Sequence, residues 1–285
     1  MRGAAAITDA HQTAQTQFLD INGLSLAYRR IGPSLGIPLV MLQRFRGNMD
    51  DWDPLVVDGL AYERPVVLVD GRGIGRSGGT TPDNVEAMAD DAAAFIDALG
   101  ERPVDLLGFS LGGMLAQQIL IKRPDLVRTA VLVGTGPRGS VGVFSPDVEK
   151  KASKIPADAQ SLLSLFFEPS EASQNAGRRH IQRVMLRTDR EPPVGDNTIR
   201  AHVAAIRGWA QSPPSPDGLA KVRQPVLVVS GSHDIMIPTV NSYELSQQLP
   251  TGELLVYPDS GHGSLFQYPE RFASDVARFV ADTTA

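Results

Sequence analysis

Short runs of consecutive apolar residues recur along the chain, separated by stretches in which apolar residues return every third or fourth position. Pro38 to Leu42, Val66 to Val69 and Val226 to Val229 are such runs, Val104 to Leu107 is one with Asp105 inside it, Thr129 to Val133 opens on a threonine, and Glu253 to Tyr257 is a looser one. Runs this short with no polar alternation predict strands buried on both faces. Between them, Leu55 to Leu60, Asn84 to Leu99, Met114 to Leu120, Val240 to Leu249 and Pro269 to Val280 predict helices. In the second of these, Val85, Met88, Ala92, Phe95, Ile96 and Leu99 fall on one helical face. Near the start, Phe18 to Asp20 and Leu24 to Arg30 flank Asn22-Gly23, a hairpin signal. Strands alternating with helices place the chain in the α/β class. The expected core is a mostly parallel central sheet with helices on both faces and an antiparallel hairpin at its beginning.

The alternation stops between Gly136 and Leu219. There the apolar spacing is helical throughout: Leu162, Leu163, Leu165 and Phe166, then Ile181, Val184 and Met185, then Ile199, Val203, Ile206 and Trp209. The strand pattern resumes afterwards without a linker, so an inserted helical cap over the strand ends fits better than a second independent domain. The expected division is a flexible N-terminal tail (1–17), a first part of the core (18–136), the helical cap (137–219) and a second part of the core (220–285). The tail rests on the polarity of the first residues.

Composition narrows the function. A chain of 285 residues with 42% hydrophobic and 21% charged content is an ordinary globular protein. Its net charge of -5 and the lack of a basic run argue against a nucleic-acid partner. With no cysteine, thiol nucleophiles, disulfides and Cys-ligated metals are excluded. No stretch reads as a secretion signal or approaches the roughly 20 apolar residues of a membrane span. The cytoplasm is the default location, and no membrane partner is expected. Nothing excludes a homo-oligomer.

The chemistry concentrates at Val104 to Gln118, where an apolar run enters Gly108-Phe109-Ser110-Leu111-Gly112-Gly113 and a helical stretch follows. A serine with glycines two places to either side, between strand and helix, is a nucleophile elbow. The turn is tight enough that side chains at 108 and 112 would collide. It leaves the Ser110 hydroxyl at the strand end, with the positive end of a helix beneath it. A serine hydroxyl needs a base, and the base needs an orienting group. His262, in Asp259-Ser260-Gly261-His262-Gly263 after the last strand, would reach the same sheet edge. Asp234, in Ser230-Gly231-Ser232-His233-Asp234, also follows a strand, and the order Ser, Asp, His is that of the elbow pattern. The rival loop, Gly134-Thr135-Gly136, offers no carboxylate. A plainer role for Asp234, capping the next helix, is compatible with catalysis.

Two backbone donors should hold the oxyanion: the N–H of Leu111 beside the serine, and that of Phe45 in the loop after Pro38 to Leu42. Gly73-Ile74-Gly75-Arg76-Ser77-Gly78 spells G-x-G-x-x-G but is followed by Gly79, Thr80, Thr81 and Pro82, which cannot open a helix. A dinucleotide site therefore fails its context. No phosphate loop or His/Glu zinc helix is present, so neither cofactor nor metal is expected.

With these residues the chain resembles the α/β-hydrolase fold family, and more closely its capped bacterial esterase, lactonase and perhydrolase-like branch. Asp70-Gly71-Arg72-Gly73-Ile74-Gly75-Arg76-Ser77 matches the family's D-x-R-G-x-G-x-S turn, and Trp52 follows the oxyanion loop as in relatives. The resemblance spans roughly Phe18 to Val280, apart from the insertion, and implies that Asp70 and Arg72 are structural. Relatives carry His-Gly where this chain has Gln43-Arg44. Arg44 or Arg46 would then contact an anionic or strongly polar substrate group, against the plainer reading of exposed loop arginines. Met114 and Trp209, with Phe144, Phe166, Phe167 and Met185, are candidates for apolar pocket lining, against the plainer reading of core packing.

The expected function is hydrolysis of a small-molecule carboxylic ester or lactone by Ser110, His262 and Asp234. The family implies alternatives on the same residues: a C–C bond hydrolase, a perhydrolase, a cofactor-free oxygenase, or a small-molecule receptor with a retained triad.

Overall fold

The computed structural model describes residues 10–155, 158–213 and 218–283. It opens with a short helix, α1 (Ala10–Thr13), and the hairpin β1 (Gln17–Ile21) and β2 (Leu24–Ile31). Asn22 and Gly23 form the turn with φ of 55° and 84°, the paired left-handed geometry that matches strand twist. Alternating units follow: β3 (Leu39–Leu42), α2 (Pro54–Leu60), β4 (Val66–Val69), α3 (Val85–Leu99), β5 (Val104–Phe109), α4 (Leu111–Lys122) and β6 (Val127–Val133). Four helices then come in succession: α5 (Pro146–Ala152), α6 (Ala159–Phe166), α7 (Glu171–Val184) and α8 (Asp196–Gln211). The chain closes with β7 (Val226–Gly231), α9 (Thr239–Gln248), β8 (Gly252–Tyr257), α10 (Ser264–Gln267) and α11 (Pro269–Asp282).

The strands form one eight-stranded sheet in the order β1-β2-β4-β3-β5-β6-β7-β8. β2 joins β1 and β4 antiparallel, and every pair from β4 onward is parallel. The apolar runs have a direct cause. Leu39, Met41, Leu107, Phe109, Val131 and Val133 enter a core with α2 and α11, while Val40, Leu42, Leu106, Ala130 and Leu132 enter a second with α3 and α4. A strand covered on both faces leaves room for a polar residue only where it finds a partner, as Asp105 of β5 does with Arg128 and Thr129. Helix α3 begins and ends where its flanks dictate. Asn84 accepts from the Ala87 N–H at 2.8 Å, and Gly100 takes φ 71° after the last turn.

The expected loose tail spans residues 1–17. Its first nine residues lie outside the described ones, but from Ala10 onward the segment is held. The His11 N–H donates to Asp58 Oδ1 at 2.8 Å, and Arg187 donates to the carbonyls of His11, Gln12 and Ala14. The acceptors for Arg187 are backbone carbonyls, which no side-chain pattern reveals.

The α5–α8 segment contacts the core through buried polar groups as well as apolar ones. Arg29 donates to Asp50 at 2.6 Å and to Glu191 at 2.8 Å, all three side chains being fully buried. Asp53 accepts from His180 and from Nε and Nη2 of Arg183. The turn at Asp70 lies beside the first cluster: its Oδ1 accepts the Met49 N–H at 2.8 Å, and its backbone carbonyl accepts from Ser77 Oγ at 2.7 Å. Burial, then the nearby Glu191 carboxylate, pushes the Asp70 carboxyl well up. No described helix is long and apolar enough to cross a membrane.

Candidate active site

Ser110 sits between β5 and α4 at φ 56° and ψ -114°. A non-glycine residue held there costs about 1–3 kcal/mol, which the surroundings must impose. The Ser110 N–H donates to the Val133 carbonyl at 2.8 Å, and its own carbonyl accepts from Gly113 at 2.9 Å. A Cβ at Gly112 would lie 2.1 Å from the Leu42 carbonyl oxygen, and one at Gly108 would lie 2.3 Å from that of Gly112. The elbow is therefore packed backbone to backbone against the end of β3. That contact brings the loop after β3 alongside the serine.

The loops after β7 and β8 abut in the same way. A Cβ at Gly231 would lie 2.1 Å from the Gly261 carbonyl oxygen, and the His233 N–H donates to that of Ser260 at 2.9 Å. Asp234 Oδ1 accepts the N–H groups of Met236 and Ile237 at 2.8 and 3.0 Å, while Oδ2 is 2.7 Å from His262 Nδ1. Both side chains are buried, at 0% and 1% exposure, so no water competes for that bond. A carboxylate partner assigns the proton to Nδ1 and leaves the lone pair on Nε2.

Nε2 has no hydrogen-bond partner, and His262 and Ser110 line one cavity of about 590 Å³. The serine and imidazole thus share a chamber without being hydrogen-bonded to each other; such contacts often tighten only once substrate is bound. The ring is held between Phe109 at 5.0 Å and the edge-on Phe166 at 5.2 Å. Gly134, at φ 53°, leaves the ring its place, since a Cβ there would lie 3.2 Å from it.

The loop after β3 is built to present one amide. Gln43 Oε1 accepts the Arg44 N–H at 2.9 Å, and its Nε2 reaches across to the Asn48 carbonyl at 3.1 Å. The Arg46 N–H donates to His202 Nδ1 at 3.0 Å. Among the described residues, the Phe45 N–H between them meets no acceptor. The Leu111 N–H opens α4 and so lacks an acceptor one turn back. Burial pushes the His202 imidazole down to about 4, keeping it neutral and able to accept. This side chain on α8 had no sequence signal as a partner of the loop.

The two arginines of that loop part company. Arg46 donates to the carbonyls of Ala152 and Lys154 at 2.8 and 2.9 Å, which ties it to the end of α5. Arg44 is 8% exposed and lines the cavity. Met114 and Trp209 do not line the chamber that holds Ser110. Met114 is fully buried in the core, and the Trp209 Nε1–H donates to the Gly136 carbonyl at 3.0 Å with Arg138 stacked on its ring. Both lie on faces turned toward other elements, which apolar spacing alone cannot distinguish from a cavity wall. Of the other apolar candidates, Phe166 and Met185 line the chamber, whereas Phe144 and Phe167 are packed away from it.

Sequence reasoning missed Leu162, Leu165, Ile181, Val184 and Met236 as wall residues. The signal for Met236 was its place two residues beyond Asp234. Among the described residues no group of three or more His, Asp or Glu side chains could hold a metal ion.

The model of the alpha/beta hydrolase fold family matches residues 37–269. An alpha/beta hydrolase fold protein from Chitinophaga pinensis superposes with a TM-score of 0.90 at 42% identity, covering 95% of this chain and 98% of that one. A 2-hydroxymuconate semialdehyde hydrolase from a Pseudomonas species is 27% identical, over 88% of this chain and 89% of its own. A non-heme chloroperoxidase from Streptomyces lividans is also 27% identical, over 91% and 97%.

Proposed function

The chain belongs to the alpha/beta hydrolase fold family, and from that premise we propose that it is a serine hydrolase acting on a carboxylic ester or lactone. Ser110 Oγ attacks the carbonyl carbon while its proton passes to His262 Nε2. The carbonyl oxygen becomes an oxyanion between the N–H groups of Leu111 and Phe45, with the N-terminal end of α4 adding its dipole. The intermediate collapses, Nε2 returns the proton to the leaving alkoxide, and an acyl-serine remains. Water then gives its proton to Nε2 and attacks the acyl carbon, releasing the acid and restoring the serine. With a lactone, the alkoxide stays tethered to the acyl group. Asp234 holds the imidazole in the tautomer that has its lone pair on Nε2, and stabilises the imidazolium formed at each proton transfer.

The observation that carries this reading is the buried Asp234–His262 pair, whose unpartnered Nε2 lines the same chamber as a serine in a strained elbow. The test is turnover of 4-nitrophenyl esters and of γ- and δ-lactones by wild type and Ser110→Ala. Loss of the serine should lower kcat by several orders of magnitude, about 10⁶-fold where the three groups act as a unit. Retention of turnover within tenfold would overturn the assignment.

A further inference from the structure

Most charged groups on the wall of the Ser110 chamber are either partnered or open to solvent. Asp51 accepts the Asn48 N–H, Asp158 caps α6 and pairs with Lys154, and Glu191 is paired with Arg29 and accepts the Arg76 N–H. Of the cations, Arg46 donates to two carbonyls, Arg190 donates to the Val184 carbonyl, and Lys151 is exposed to solvent.

Arg44 differs. It is more than nine-tenths buried, yet its nearest carboxylate, Asp51, is 3.8 Å away. Nη1 donates only to the neighbouring Phe45 carbonyl, at 3.0 Å, and Nε has no acceptor. The guanidinium lies 5.1 Å from the centre of the Phe166 ring, which supports its face and leaves its edge for hydrogen bonds. By contrast, Arg29, which is fully buried, has two carboxylates within 2.8 Å. Burial is the largest influence on Arg44 and holds its pKa below the usual guanidinium range; Asp51 offsets this only in part. A buried cation with so few partners is a costly feature unless a ligand completes it.

We infer that the substrate carries a carboxylate close to its scissile carbonyl and that Arg44 binds it. The inference rests on the serine-hydrolase reading and names the substrate class for that site: monoesters of dicarboxylic acids, or carboxy-substituted lactones. Position supports it, because Arg44 adjoins the residue whose amide faces the oxyanion, and both line the chamber with Ser110. Charge supports a carboxylate over a phosphate. One buried positive charge matches one negative charge, whereas a phosphate dianion would leave the second uncompensated.

The experiment compares monomethyl succinate, glutarate and adipate with methyl butyrate, pentanoate and hexanoate, followed by proton release. Wild type should favour the acids. Arg44→Gln should lower the ratio of kcat/KM, acid over neutral, by about 10- to 100-fold, mainly through KM, the size expected for a hydrogen bond to a charged group. Arg44→Lys, which keeps the charge, should lower it less. An unchanged ratio in Arg44→Gln, with both esters still cleaved, overturns the inference and leaves the hydrolase reading intact.

Binding of glutarate to Ser110→Ala by calorimetry separates the two further. A tenfold weakening on adding Arg44→Gln supports the inference even if no ester is turned over. Absence of glutarate binding, or tighter binding of inorganic phosphate, overturns it.

Discussion

Replacing Asp234 with asparagine changes one atom and should silence the base. Oδ1 accepts two buried N–H groups, from Met236 and Ile237. The amide oxygen of the variant must therefore take that position. A reversed amide would leave both donors facing an NH2 group, at about 1–3 kcal/mol for each unsatisfied donor. The NH2 then points at His262 Nδ1, 2.7 Å away in the native pair, and that nitrogen must become the acceptor. The imidazole proton moves to Nε2, the nitrogen that lines the chamber, and no lone pair remains to receive the serine proton.

Reaching the productive tautomer through the reversed amide would cost about 2–6 kcal/mol, from two such donors. A wrong-tautomer base in a serine protease lowers kcat about 10⁴-fold, or about 5.4 kcal/mol of barrier. We expect a fall of about 10³- to 10⁴-fold for Asp234→Asn, the upper part of that range. KM for 4-nitrophenyl acetate should stay within threefold, and melting by circular dichroism should shift by only a few degrees, because the volume and the two turn hydrogen bonds are kept. A folded variant losing less than tenfold in kcat would refute the tautomer argument.

Three further substitutions probe the supports of the site. His202 titrates at about 4 in the fold against 6.5 when unfolded, so its neutral form stabilises the protein fully above pH 6.5 and loses that effect as pH falls toward 4. By linkage the loss is about 3 kcal/mol at pH 4; denaturant unfolding at pH 8 and pH 4 should show wild type losing that much more than His202→Asn, and equal losses would count against it. Gly134→Ala sets a Cβ 3.2 Å from the His262 ring at a φ of 53°, so kcat should fall at least tenfold, and an unchanged kcat would show that the ring has room to spare. Arg29→Met removes the cation shared by two buried carboxylates, so urea unfolding should show about 3–5 kcal/mol of destabilisation, and a loss under 1 kcal/mol would mean the cluster is not held as described.

The sheet and the elbow were legible because their causes are local. Asn22-Gly23 selects its turn, strands buried on two faces are mostly apolar, and Gly108 and Gly112 are required by close backbone contacts at the elbow. The Asp234–His262 pair was legible for a related reason, since each residue sits directly beyond a strand of one parallel sheet. The α5–α8 segment was readable as helices, but not in its placement. Its docking depends on partners far away in sequence, such as Arg29 with Glu191, Asp53 with Arg183 and the Arg46 amide with His202. Met114 and Trp209 show the same limit, because period-3.6 spacing says that a residue is covered and not what covers it. The roles of Arg44 and Arg46, two positions apart, were separable only once the carbonyls of Ala152 and Lys154 were placed.

The most direct measurement of the central claim is covalent capture of the nucleophile. Diethyl 4-nitrophenyl phosphate presents a tetrahedral phosphorus that an activated serine attacks, expelling nitrophenolate and leaving a diethylphosphoryl ester. The account predicts one equivalent of nitrophenolate per chain, the added mass on the peptide containing Ser110, and labelling slowed at least a hundredfold in His262→Ala. Label on another residue, or an equal rate in Ser110→Ala, would contradict it.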